Sequence, residues 1–200
     1  MSRPPLTYRR VTSAEEVLTA LNILDNAARH LADEVDQRSL DWQPAGGKGW
    51  SIGQCLDHLV KTNEVYGGAI LAALQEARHQ GRAPAGAAPF RPGFFARWFL
   101  GQIEPPPKRK LSASRLAKPG SAQPKDGLVA AYLAGHERLR RGLAEARGLD
   151  LNALRFKNPF APLPWTVATG LTLIVAHDHR HLEQAERVRR SPGFPASAGS

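Results

Sequence analysis

The hydrophobic positions of this 200-residue chain fall into four stretches of helical period, separated by segments where that period is lost. In the first, Val17, Leu21, Leu24, Ala28, Leu31 and Val35 recur at spacings of 4, 3, 4, 3 and 4. That is one apolar seam on a helix running to about Asp36. Ser13-Ala14-Glu15-Glu16 reads as a capping box at its start. A second box, Ser51-Ile52-Gly53-Gln54, opens a helix with the seam Ile52, Cys55, Leu59, Thr62 and Tyr66, which ends near Arg78, before Gly81 and Pro84. A third begins around Asp126 and carries Leu128, Tyr132, Leu139, Leu143 and Ala146, with Gly148 as its stop. The fourth starts shortly after Pro164-Trp165 and runs to about Arg190. No alternating pattern is long enough to build a sheet, and no internal repeat is present. The pattern predicts an all-α four-helix bundle, one domain over residues 1–190, followed by a disordered Gly/Ser/Pro/Ala-rich tail at 191–200.

Between the second and third helices lies a long connection rich in proline and glycine. From Arg82 to Lys118 it holds eight basic residues, including Lys108-Arg109-Lys110, against the single acid Glu104, and so carries seven of the net nine positive charges. An aromatic segment within it, Phe94-Phe95-Ala96-Arg97-Trp98-Phe99-Leu100, reads as a short helical plug that packs somewhere on the bundle. Loops this long inside a compact domain are usually functional or disordered.

Composition narrows the class without choosing a function. Hydrophobic residues at 42% and charged residues at 22% are ordinary for a globular chain and exclude full disorder. No run of 18 apolar residues occurs, which excludes a membrane-spanning helix. The start MSRPPLTYRR lacks the apolar core of a secretory signal, and one cysteine cannot form an internal disulfide, so a cytoplasmic location is expected. The positive charge admits anionic partners. A charge run is usually a solvated surface, however, and no nucleic-acid reader motif or stacking platform accompanies this one, so nucleic acid is not the expected partner.

The chemistry is concentrated on the fourth helix. Continuing the seam Val167, Leu171, Ile174 places His177, His181, Gln184 and Val188 inward. Two histidines one turn apart share a face, with Cβ atoms roughly 6 Å apart, and can reach one cation. His58, beside the seam residue Leu59 on the second helix, is the natural third ligand. Three neutral imidazoles leave coordination positions open for water or substrate. Cys55, at i−3 from His58, is either a soft ligand or a small buried hydrophobe. Asp57 and Gln184 are candidates to orient a ligand imidazole, and Asp57 and Glu183 can equally be surface charges. His179 is about 200° round from His177 and is expected at solvent or at a bundle edge. His30, His79 and His136 show no partner pattern and read as surface residues. No residue identifies itself as a general acid or base.

At these residues the chain resembles a known family. Gly49-Trp50-Ser51 through His58-Leu59 is similar to the Trp-Ser-x-x-x-x-x-x-His-Leu segment of the DinB-like superfamily, and His177 to Gln184 resembles its His-x-x-x-His-x-x-Gln signature. The resemblance implies an up-up-down-down four-helix bundle holding a divalent metal (zinc, nickel, manganese or iron) through His58, His177 and His181. It also implies frequent homodimerisation, and relatives that act as thiol S-transferases or isomerases with a low-molecular-weight thiol. The expected function is therefore a metal-dependent enzyme of the thiol S-transferase or hydrolase type acting on a small molecule. The alternative is a non-catalytic, stress-related metal- or ligand-binding protein.

Overall fold

The computed structural model describes residues 6–83, 85, 86, 88–106, 112–160 and 163–195. The run Lys108-Arg109-Lys110, with Pro84 and Pro107, lies outside them, as does the end of the expected disordered tail, 196–200. Four long helices form the bundle: α1 (Ala14–Asp33), α4 (Ile52–His79), α6 (Lys125–Glu145) and α7 (Val167–Arg189). Among the described residues they are accompanied by the short α-helices α2 (Gln37–Asp41), α3 (Pro44–Gly47) and α5 (Phe94–Ile103) and by a 3-10 turn at Arg115–Ala117.

Local chemistry fixes the helix starts. The Ser51 hydroxyl accepts from Gln54 N at 3.0 Å while Gln54 Oε1 accepts from Ser51 N at 3.0 Å, a complete capping box on α4. At α1 the Ser13 hydroxyl caps Glu16 N, but the Glu16 carboxylate reaches one residue further back, to Thr12 N at 2.6 Å. Thr166 caps α7 through Thr169 N at 3.2 Å. Helix α1 stops at Asp33, short of the expected Asp36, because Asp36 caps the next helix by accepting from Ser39 N at 2.8 Å. A two-residue antiparallel ribbon, β1 (Arg155–Phe156) against β2 (Trp165–Thr166), precedes α7 with Arg155 opposite Thr166.

Contacts between named residues set the helix directions. Asn63, Gly67 and Arg78 of α4 meet His136, Leu139 and Glu145 of α6 in ascending order, so those two helices run parallel. His58 meets His177, and Ile70 lies against Gly170, so α4 and α7 are antiparallel. Asp25 binds Arg140, while the Ala32 and Val35 carbonyls accept from Lys125, so α1 and α6 are antiparallel too. The expected four-helix bundle is observed. Followed around the bundle as α1, α7, α4 and α6, the helices run up, up, down, down as expected, whereas along the chain their order is up, down, down, up. The physical reason is the parallel α4–α6 pair, which requires a crossover the length of the bundle between them.

That crossover is built onto the bundle. Leu100 and Ile103 of α5 are buried, and the carbonyls of Gln102 and Ile103 accept from Arg180 of α7. Glu104, the one acid of the connection, binds Arg10 through both carboxylate oxygens at 2.5 and 2.6 Å and accepts from Tyr8 at 2.9 Å. The aromatic plug therefore packs on one face only. Phe94, Phe95 and Trp98 are exposed, at 72%, 75% and 59%.

Candidate metal centre

Helix α4 carries His58 inward in its second turn, and α7 presents His177 and His181 one turn apart opposite it. One ring nitrogen from each of the three lies within 4.8 Å of the other two. His58 Nε2 and His177 Nε2 face each other at 3.1 Å. Two of the three rings have an acceptor at their other nitrogen. His58 Nδ1 donates to the Ala117 carbonyl at 2.6 Å, and His181 Nδ1 donates to Gln184 Oε1 at 2.9 Å. His177 Nδ1 lies 3.9 Å from Oδ1 of the fully buried Asp178. With protons on the Nδ1 side, three lone pairs converge on one point, and converging lone pairs repel unless a cation lies among them. The donor set fits a divalent ion that accepts imidazole nitrogen.

Burial favours the uncharged rings. It pushes the His58 imidazole down to about 4, with the neighbouring His177 adding to the effect. It also pushes His181 well below the usual histidine range, reinforced by His177 and His58. Trp50 closes the cluster from the α3–α4 corner, stacked on His181 at 5.7 Å and tilted against His58 at 4.9 Å.

The other sequence candidates separate. Gln184 orients His181, as described. Asp57 faces away from the imidazoles: its carboxylate accepts from Lys61 Nζ at 2.8 Å, Gly120 N at 2.7 Å and Gln123 Nε2 at 3.1 Å, tying the crossover to α4. Cys55 is fully buried in the hydrophobic core, which pushes its thiol up to about 12. His30 and His79 are exposed, as expected. His179 is not at solvent but 5% exposed, because the N-terminal segment lies over it with Tyr8 edge-on to its ring at 5.4 Å.

His136 overturns its surface reading completely. It is fully buried, with Nδ1 at 2.6 Å from Asp25 Oδ1 and Nε2 at 2.8 Å from Asp178 Oδ2. Asp178 Oδ2 also accepts from Asn63 at 2.8 Å and Tyr132 at 3.0 Å, while Asp25 accepts from Arg140 at 2.5 Å. Burial opposes charge on His136, but its hydrogen bonds to Asp178 and Asp25 prevail and push it up to about 9. The same partners hold Asp178 far below the usual carboxylate range against its own burial. Two carboxylates, an imidazolium and a guanidinium thus form a balanced set that links α1, α6 and α7, with the free oxygen of Asp178 directed at His177. The signal was available in the sequence. His136 fills the gap between Tyr132 and Leu139 in the α6 seam, and Asp25 and Asp178 fall on the buried stripes of α1 and α7.

The three imidazoles open onto a cavity of about 390 Å³ between α4, α7 and the crossover. A family model described as the DinB superfamily matches residues 20–185. Among solved structures, the chain is similar to "YfiT from Bacillus subtilis is a probable metal-dependent hydrolase with an unusual four-helix bundle topology". That similarity has a TM-score of 0.51, 18% identity and coverage of 94% of both chains, and at this identity it speaks for the fold. No curated protein sequence matches the chain.

Proposed function

The chain belongs to the DinB superfamily, and from that premise we propose that it is a metal-dependent hydrolase of a small molecule, with His58, His177 and His181 as the metal ligands. The carrying observation is the convergence of three imidazole nitrogens within 4.8 Å at the wall of an apolar cavity, two of the rings held by hydrogen bonds at Nδ1. A divalent ion bound there would supply Lewis acidity and lower the pKa of a bound water toward neutrality. The chain's own residues do the rest. Ala117 and Gln184 fix the ring orientations of His58 and His181. Trp50 covers the cluster and restricts the approach of bulk water.

Zinc, nickel, manganese and iron all suit the donor set. The low-molecular-weight thiol and the homodimer implied by the family resemblance belong to this proposal as further expectations, as does a cytoplasmic site of action. No helix among the described residues is long and apolar enough to cross a membrane.

Elemental analysis of untagged protein tests the metal. Wild type is expected to hold close to one divalent ion per chain, and His58→Ala and His181→Ala are expected to lose it. Wild type that stays empty after refeeding with all four metals overturns the proposal. Hydrolysis of a panel of aryl esters and amides, present in wild type and absent in His58→Ala, tests the reaction. Turnover that requires an added thiol would establish the S-transferase type instead, and firm metal binding without turnover would establish the non-catalytic alternative. Light scattering after size exclusion reads the oligomeric mass.

A further inference from the structure

Helix α5 turns an aromatic face outward. At about 100° per residue, Phe94, Trp98 and Phe95 fill one arc of the helix, nearly opposite the buried Leu100 and Ile103. At about 150–250 Å² per aromatic side chain, their exposures leave on the order of 400 Å² of ring surface uncovered. Exposed apolar residues scattered singly are normal, whereas a contiguous patch of this size marks a contact surface.

Cations border the patch. Arg97 lies at one edge of the aromatic arc and Arg91 just before the helix, and both are exposed. Arg115 and Lys118, also exposed, stand on the return leg of the crossover, which lines the same cavity as α5. None of these four side chains has an ion-pair partner among the described residues, whereas Arg187 and Arg189 of α7 both meet carboxylates. Glu104, at the end of α5, is engaged by Arg10 and Tyr8.

A second copy of the chain does not suit this face. A two-fold contact would set its arginines against their own copies, and the patch is about half of the roughly 800 Å² that a stable interface takes from each partner. Nor does a nucleobase suit it, since Phe94 and Phe95 meet edge-on at 80° between planes rather than as parallel platforms. An anionic bilayer fits both parts: its acyl boundary accepts aromatic side chains without shape complementarity, and its phosphates accept arginine. We infer that α5 is a docking helix for an anionic membrane surface, with Phe94, Phe95 and Trp98 entering the acyl boundary and Arg91 and Arg97 on the lipid phosphates. The inward residues Phe99 and Ile103 line the cavity, so docking sets the cavity wall beside the bilayer. The inference stands independently of the metal centre.

The test is co-flotation of the full chain, at physiological ionic strength, with vesicles of phosphatidylcholine alone and of an equimolar mixture with phosphatidylglycerol. Wild type is expected to bind the mixed vesicles about tenfold more tightly than the neutral ones. Arg97→Gln should weaken binding to the mixed vesicles by about 5-fold and Trp98→Ser by about 10-fold. Both residues are exposed, so the melting temperatures of the variants should match wild type. Mixed vesicles with brominated acyl chains should quench the tryptophan emission of wild type, and Trp98→Phe should lose most of that quenching while still floating. No binding to the mixed vesicles, equal binding to both kinds, or undiminished binding of both Arg97→Gln and Trp98→Ser would overturn the inference. So would a dimer that Trp98→Ser converts to monomer in a protein that ignores the vesicles, an outcome that assigns the face to a second copy.

Discussion

Asp178 divides its two carboxylate oxygens between tasks: Oδ2 accepts from His136, Asn63 and Tyr132, and Oδ1 faces His177. Replacing it by asparagine keeps the shape but removes the charge behind His177. Metal affinity, read by competition with a chelator, is expected to fall by about 10- to 100-fold. The neighbouring His136 gives a pH signature. Its folded value of about 9 stands above the ordinary histidine value, so its contribution to stability is complete below about pH 6.5. That contribution is lost as pH rises through about 9. Melting temperatures of wild type should decline across this window, and His136→Gln should lack that decline. The difference in how legible these histidines are in the sequence is physical. His177 and His181 share one helix, so their spacing alone reports a common face, and His58 stands next to a seam residue. His136 finds its partners on two other helices, and only its place in the apolar seam betrays it.

Two glycines show how tightly individual helices meet. A Cβ added at Gly170 of α7 would lie 2.8 Å from both Ile70 and the ring of Phe156, both buried in the core. Gly170→Ala is expected to cost about 1–3 kcal/mol and lower the melting temperature by roughly 2–12 °C. A Cβ at Gly142 of α6 collides only with the end of the half-buried Leu71 side chain, which can swing aside. Gly142→Ala should therefore leave the melting temperature unchanged or raise it, since alanine gains up to about 1 kcal/mol of helix propensity. Differential scanning calorimetry of the two variants separates the cases. The four long helices were legible because each repeats its apolar period several times. Helices α2 and α3 and the β1–β2 ribbon span two to five residues, too few for a period, and are set by Asp36, Pro44 and tertiary contact.

Across the whole molecule, the parallel α4–α6 pair obliges the chain to travel back over the bundle, and the crossover that does so forms one wall of the cavity. Asp57 holds its return leg through Gly120 and Gln123. Asp57→Ala should free that leg and speed proteolytic cleavage near residues 112–123, with the helical circular dichroism unchanged. The sequence marked this connection by its prolines and charge, but not its course, which depends on helix directions that periodicity does not encode. The acceptor that orients His58 is the carbonyl of Ala117, a main-chain atom on this same leg. Side-chain deletion cannot remove that acceptor, so an alanine scan is blind to it. Reciprocity follows from linkage: whatever stiffens the return leg tightens any cation held by His58, and the cation stiffens the leg by the same free energy. Hydrogen exchange of residues 114–120 would then report occupancy of the histidine cluster without any probe attached to it.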